Sequence, residues 1–225
     1  MGRGIGAGKL PKLIIFDLDG TIIDSEPVAM EAWIKAGEEF GVTIQKEDLL
    51  PMIGVNGESN RRMMLDRFGG NLPFKAMLER VREITKQSYQ EGVPVKEGVK
   101  ELLDLLEDFG IRRCVATSSR KTRSEDILSR IGLLREFEFL LSGEEITHSK
   151  PHPEIFELAM ARMGIPSTST MIVEDSKNGI LAAKASGAIS VLIPDLLPVD
   201  AIMKENADLI FNSLLDLKDY LLELE

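Results

Sequence analysis

The chain has 225 residues, 44% apolar and 28% charged, enough for one large domain or a core with a smaller insert, in the proportions of a soluble globular protein. Its 37 acidic residues outnumber 27 basic ones for a net charge of -10, which repels a nucleic-acid backbone or an anionic membrane and suits a metal-dependent site. The single cysteine excludes an intrachain disulfide, and its strand-like setting, Cys114-Val115-Ala116, makes it a small core residue and not a nucleophile.

No apolar run reaches the roughly 18 residues of a membrane span, and the first residues lack the apolar stretch of a secretory signal. The expectation is a cytoplasmic protein with no nucleic-acid and no membrane partner. The opening Gly2-Arg3-Gly4-Ile5-Gly6-Ala7-Gly8-Lys9 has the composition of a phosphate loop but not its order. Arg3 stands at the first required glycine, Leu10 follows Lys9 in place of Ser or Thr, and the segment precedes a strand when a working loop must follow one. It reads as a flexible leader.

Leu13-Ile14-Ile15-Phe16 reads as a strand buried on both faces, closed by Asp17-Leu18-Asp19-Gly20-Thr21. In an open parallel sheet, ligands sit at the carboxyl edge, so this DxDGT ending puts two carboxylates within reach of a small substrate. After Asp24-Ser25-Glu26-Pro27 the period becomes helical: Trp33, Ala36 and Phe40 share a face, Gly41 is the stop, and Lys46 to Ile53, Glu58 to Phe68 and Phe74 to Tyr89 supply further amphipathic helices. These make a small helical insert, with Trp33, Met63, Met64 and Met77 as its core and not a ligand box.

Glu91-Gly92-Val93-Pro94 punctuates the return to helix–strand alternation, the pattern of a parallel sheet covered by helices. Helices are expected at Glu97 to Phe109, Thr122 to Ile131, Glu154 to Met163, Asn178 to Ser186 and a last one through Leu222, with glycine C-caps throughout. Strands are expected at Arg112 to Ala116, Phe139 to Leu141, Thr170 to Val173, Ser190 to Ile193 and Leu209 to Phe211.

Three of these later segments carry polar groups that could meet Asp17. Thr117-Ser118-Ser119 ends one strand with hydroxyls and backbone N–H groups at a helix start, which serve as an anion site or simply as a helix cap. Ser149-Lys150-Pro151-His152-Pro153 places an ammonium before a rigid turn, and Glu174-Asp175 ends another strand in paired acids able to ligate a hard cation. His148 and His152 are taken as surface or structural residues.

In this order, the four segments resemble the haloacid dehalogenase-like superfamily of phosphatases, whose signature is DxDGT/V, then Thr/Ser, then Lys, then an acidic pair. The helical insert after the first motif is similar to that of the subfamily containing beta-phosphoglucomutase and many sugar-phosphate phosphatases. The resemblance implies an α/β fold: a Rossmann-like parallel sheet core at 1–25 and 94–225 with strand one central, and an inserted α-helical cap domain for substrate specificity at 26–93. It implies a phosphoric monoester hydrolase for a small phosphate ester with Mg²⁺ as cofactor, and a monomer is expected because the site is closed by its own cap. Asp17 is the expected nucleophile, Asp19 the acid and base, and Thr117, Ser118 and Lys150 the phosphate ligands. Asp17, the Asp19 carbonyl and Asp175 are the expected metal ligands, joined by Glu174 directly or from behind.

Asp19 must hold a proton while Asp17 stays ionised, which calls for metal contact at Asp17 and a drier, covered position for Asp19. An acid at position 19 also argues against the haloacid substrates, since expelling halide needs no proton and expelling an alkoxide does. Gly54, Val55, Asn56 and Gly57 form the expected substrate loop, its glycines permitting close approach. A beta-phosphoglucomutase-type mutase is the alternative. Ala29 and Gly57 stand where that enzyme has a His and an Arg, although Arg61 and Arg62 lie one helical turn beyond. A non-enzymatic phospho-acceptor module, which also uses an Asp cluster, a Thr/Ser and a Lys, is the third reading.

Overall fold

The computed structural model describes residues 9–53, 57–196 and 198–225, so all of the expected leader Gly2 to Lys9 except Lys9 lies outside the described residues. Among the described residues no helix is long and apolar enough to cross a membrane. The chain divides into two compact units, one of Met1–Ile23 with Val95–Glu225 and one of Asp24–Pro94.

The first unit is an α/β sheet structure. Six strands, β1 (Leu13–Phe16), β2 (Arg112–Thr117), β3 (Leu140–Ser142), β4 (Thr170–Glu174), β5 (Ile189–Leu192) and β6 (Leu209–Ile210), pair in parallel in the order β3-β2-β1-β4-β5-β6. All four β1 residues are buried, which is why the strand reads as an uninterrupted apolar run. It lies centrally, with Ile15 opposite Cys114 on one side and Ile172 on the other. Cys114 is fully buried, and burial pushes its thiol up to about 12.

Helices of this unit are α5 (Val99–Asp108), α6 (Lys121–Arg130), α7 (Glu154–Met163), α8 (Lys177–Ala185), α9 (Ala201–Asn206) and α10 (Leu214–Glu223). Their apolar faces close on the sheet: Ile155, Phe156, Ala159, Ala182 and Ala183 pack with Leu13, Ile15 and Ile172 in one buried cluster. Gly164 caps α7 in the left-handed conformation, as expected, but α9 and α10 end on Ala207 and Leu224, so the glycine stop is not universal. The short α9, capped by the Asp200 side chain on the Met203 N–H, has too little periodic sequence to announce itself.

In the second unit are α1 (Ser25–Glu39), α2 (Lys46–Leu49), α3 (Gly57–Phe68) and α4 (Phe74–Glu91). The expected helix from Lys46 to Ile53 is cut short: Pro51 lacks the N–H needed to continue it, and the chain tightens into a 3-10 turn at Leu50–Met52. Met30, Met64, Phe74 and Met77 form the core of this unit, and Trp33 stacks on Phe74 with ring centroids 5.7 Å apart. The methionines and Trp33 therefore pack this unit, as their helical spacing indicates.

Candidate active site

Strand register builds the site. Phe16, the last residue of β1, faces Val115 and Val173, and the Asp17 N–H donates to the Val173 carbonyl at 3.0 Å. The next residues, Asp17, Thr117 and the Glu174-Asp175 pair, therefore emerge at one sheet edge.

Lys150 ties two of them together. Its ammonium donates to Asp17 Oδ1 at 2.5 Å, Glu174 Oε1 at 2.6 Å and the Ala116 carbonyl at 3.0 Å, which uses all three of its protons. The Lys150 nitrogen also stands 4.9 Å from the centroid of the Phe156 ring. The cluster is dry, with side-chain exposures of 6% for Lys150, 10% for Asp17 and 1% for Glu174.

Electrostatics follow from that dryness. Burial, opposed by the Lys150 charge and reinforced by Glu174, pushes the Asp17 carboxyl up to about 7. Burial, then Glu174 and Asp17, hold Asp175 well above the ordinary carboxylate range. Burial also disfavours the Lys150 charge, but Asp17 and Glu174 overcome it and raise the lysine above its usual value.

Oxygen atoms of Asp17, Glu174 and Asp175 lie within 4.8 Å of one another. Three acids against one ammonium leave excess negative charge away from water, and the raised Asp17 and Asp175 register that excess. Hard oxygen donors carrying such an excess fit a hard divalent cation such as Mg²⁺. Glu174 is the most occupied of the three: Oε1 takes Lys150, while Oε2 accepts the Ser176 hydroxyl at 3.0 Å and the Ser176 N–H at 3.3 Å. Both of its oxygens are thus already engaged within the protein.

Two glycines make room for these acids. A Cβ on Gly20 would stand 2.2 Å from Asp175 Oδ2, and one on Gly179 of α8 would stand 1.9 to 2.1 Å from the Glu174 carboxylate. Gly20 also has φ +81°, so it serves both the turn and the close approach. Gly179, hidden in an ordinary helical stretch, was not legible as part of the site.

Asp19 sits in a second cluster. Arg123 of α6 donates Nη2–H to Asp19 Oδ1 at 2.8 Å and Nη1–H to Oδ2 at 2.9 Å, and the Ser119 hydroxyl donates to Oδ2 at 2.7 Å. Sequence reading expected Asp19 to be the drier acid, and the structure reverses this: its side chain is 27% exposed against 10% for Asp17. The order follows from position, since Asp17 directly continues a central strand while Asp19 lies in the loop beyond it.

Thr117 is 1% exposed, and its Oγ1 accepts the Ser119 N–H at 3.1 Å. It is not a helix cap, because α6 starts four residues later with Arg120 at its N-cap position and no side-chain cap bond. Ser118 follows with its carbonyl 2.7 Å from where a Gly143 Cβ would stand, so that glycine lets the Ser118 loop close in. His148 and His152 hold the turn before α7: His148 Nδ1 is 2.9 Å from Glu154 Oε2, and His152 Nδ1 accepts the Glu154 N–H at 3.2 Å. Of the expected substrate loop, Gly57 begins α3, whereas Gly54, Val55 and Asn56 lie outside the described residues. Within the same unit Glu26, Trp33, Met52 and Asn60 help line a cavity of about 220 Å³.

Residues 14–193 match the family model described as haloacid dehalogenase-like hydrolase, and the chain belongs to that family of enzymes. It is 28% identical to the phosphorylated carbohydrates phosphatase of Thermotoga maritima over 174 residues, 77% of this chain and 81% of the relative. It is 30% identical to hexitol phosphatase B of Escherichia coli over 186 residues, 80% of this chain and 82% of the relative. The crystal structure of beta-phosphoglucomutase from Clostridium difficile superposes with a TM-score of 0.75 at 22% identity, covering 96% of this chain and 97% of that one, a likeness of fold alone.

Proposed function

We propose that the protein is a Mg²⁺-dependent phosphatase that hydrolyses a small phosphorylated metabolite, a sugar or polyol phosphate, through an aspartyl-phosphate on Asp17. The observation carrying this reading is the buried edge where Asp17 and Glu174 share the Lys150 ammonium beside Asp175. The names of the Thermotoga and Escherichia relatives support the substrate class.

An unaided phosphate monoester hydrolyses extremely slowly, so the site must supply a nucleophile, offset negative charge and protonate the leaving oxygen. Asp17 attacks phosphorus while Asp19 gives its proton to the departing alkoxide; water then attacks the aspartyl-phosphate and returns a proton to Asp19. Thr117 and the Ser118 backbone N–H hold the phosphoryl oxygens, joined by Lys150 once it exchanges one of its three present acceptors for one of them. Asp17, Asp175 and the Asp19 carbonyl would hold Mg²⁺, with Glu174 behind them, and the bound ion supplies the positive charge that lets a carboxylate and a phosphoryl group approach one another. Asp24–Pro94 acts as the substrate-choosing cap, in which Glu26 and Asn60 offer polar contacts suited to a polyol.

The test is a panel of metabolite phosphate esters with Mg²⁺, repeated after chelation and with Asp17→Asn. Release of phosphate from sugar or polyol phosphates, lost in both controls, is the expected result; metal-independent turnover or an active Asp17→Asn would overturn it. The fold likeness to beta-phosphoglucomutase keeps a mutase as the second reading, against which stand Ala29 and Gly57 at the positions of its His and Arg. With β-glucose 1-phosphate and a bisphosphate primer, glucose 6-phosphate in excess over free phosphate would decide for the mutase.

A further inference from the structure

The fork that Arg123 closes on Asp19 carries none of the bond-making or proton-transfer steps assigned to Asp17 and Asp19. A guanidinium placing one N–H on each carboxylate oxygen is the strongest and most directional way for a protein to hold an ionised acid. Here the hold is reinforced, because the Ser119 hydroxyl donates to Asp19 Oδ2 at 2.7 Å and accepts the Arg123 Nη1–H at 2.9 Å. Ser119 and Arg123 stand one helical turn apart, so α6 fixes the arginine relative to the hydroxyl.

We propose that Arg123 is a positioning residue that holds the Asp19 carboxylate for the second half of the reaction, when Asp19 takes the proton of the attacking water. This rests on the reading of Asp19 as proton carrier. In that half-reaction a water O–H bond breaks, its proton goes to the Asp19 carboxylate, and the oxygen forms the new bond to phosphorus. The bond between phosphorus and the Asp17 oxygen breaks with its electron pair returning to Asp17. Only the ionised form of Asp19 can accept that proton, and it is the form that a guanidinium fork holds in place. The first half makes the opposite demand, since a protonated Asp19 is a poorer partner for the arginine. Arg123 should therefore govern hydrolysis of the aspartyl-phosphate and have little influence on its formation from an ester whose leaving group needs no proton.

The experiment uses p-nitrophenyl phosphate with the Mg²⁺-loaded enzyme and compares wild type, Arg123→Gln, Arg123→Lys and Asp19→Asn. For Arg123→Gln, kcat is expected to fall about 10- to 100-fold while kcat/KM, which reports formation of the aspartyl-phosphate, stays within about twofold. Rapid mixing should then show a burst of nitrophenolate approaching one per site, and Arg123→Lys should recover part of kcat. An equal fall in kcat and kcat/KM without a burst is what a merely structural role would give, and it would overturn the proposal. The same split in Asp19→Asn, without one in Arg123→Gln, would overturn the assignment of Arg123 alone. An unchanged kcat in Asp19→Asn would remove the reading of Asp19 and this inference with it.

Discussion

The molecule contains two carboxylate–cation clusters with similar chemistry and opposite surroundings. At the sheet edge, Lys150 serves Asp17 and Glu174 with side chains exposed by 6%, 10% and 1%; in the loop beyond, Arg123 serves Asp19 with side chains exposed by 37% and 27%. In the dry cluster, desolvation dominates: two acids share one ammonium and Asp17 is pushed up to about 7. In the wetter cluster, water screens the charges, and what the fork supplies is orientation. The difference teaches that a buried pair stores charge for a ligand to neutralise, whereas a half-exposed pair sets direction at little electrostatic cost.

Four perturbations would break or sharpen this contrast. The largest effect is expected from Asp19→Asn, which should lower kcat/KM for an alkyl phosphate by about 10² to 10⁴ and that for an activated aryl phosphate by less. Equal losses in kcat/KM on the two esters would refute a proton-delivering role for the wetter cluster. Lys150→Met leaves two buried acids without their cation, and urea unfolding of the metal-free protein should register a loss of about 3–5 kcal/mol. If Arg123→Met cost as much, the distinction between dry and wet pairs would fail.

Gly179→Ala drives a methyl into the Glu174 carboxylate and should cost about 1–3 kcal/mol in the same measurement, with Lys150 displaced and Mg²⁺ bound more weakly by calorimetry. A neutral substitution would mean that the Glu174 pocket is soft. The smallest effect is a pH slope. Asp17 rises from 3.8 to about 7 on folding, so between those values the folded state binds more protons than the unfolded one. The Asp17 contribution to the stability of the metal-free protein is therefore full below about 4 and is lost as pH rises to about 7. A series of melting temperatures should show that decline, flattened by Asp17→Asn and by saturating Mg²⁺; a rise in stability across the window would contradict the burial argument.

How much of this was legible depended on how local the cause was. Leu13 to Phe16 announced a buried strand because every position is apolar, and Glu154 to Met163 announced a helix because its period and Gly164 are local signals. Pro51 was a local signal too, but the apolar spacing on either side of it masked the break at Leu50–Met52. The acids, Thr117 and Lys150 could be singled out from their places at element ends. Arg123 could not, because a basic residue inside a charged helix looks like any solvated arginine until Asp19 is brought opposite it from 104 positions away. Gly179 was invisible although its contact, Glu174, lies only five residues before it, because no local pattern shows that the strand end turns its carboxylate back onto α8.

By itself the sequence determined the elements, their alternation and the polar residues that end them, because hydrophobic period, proline and glycine act over a few neighbours. Tertiary structure alone decided strand register, and with it which acids share Lys150, which acid is dry and which cation faces Asp19. Those outcomes depend on residues far apart in the chain and on water excluded by the assembled sheet, and no short stretch of sequence carries either.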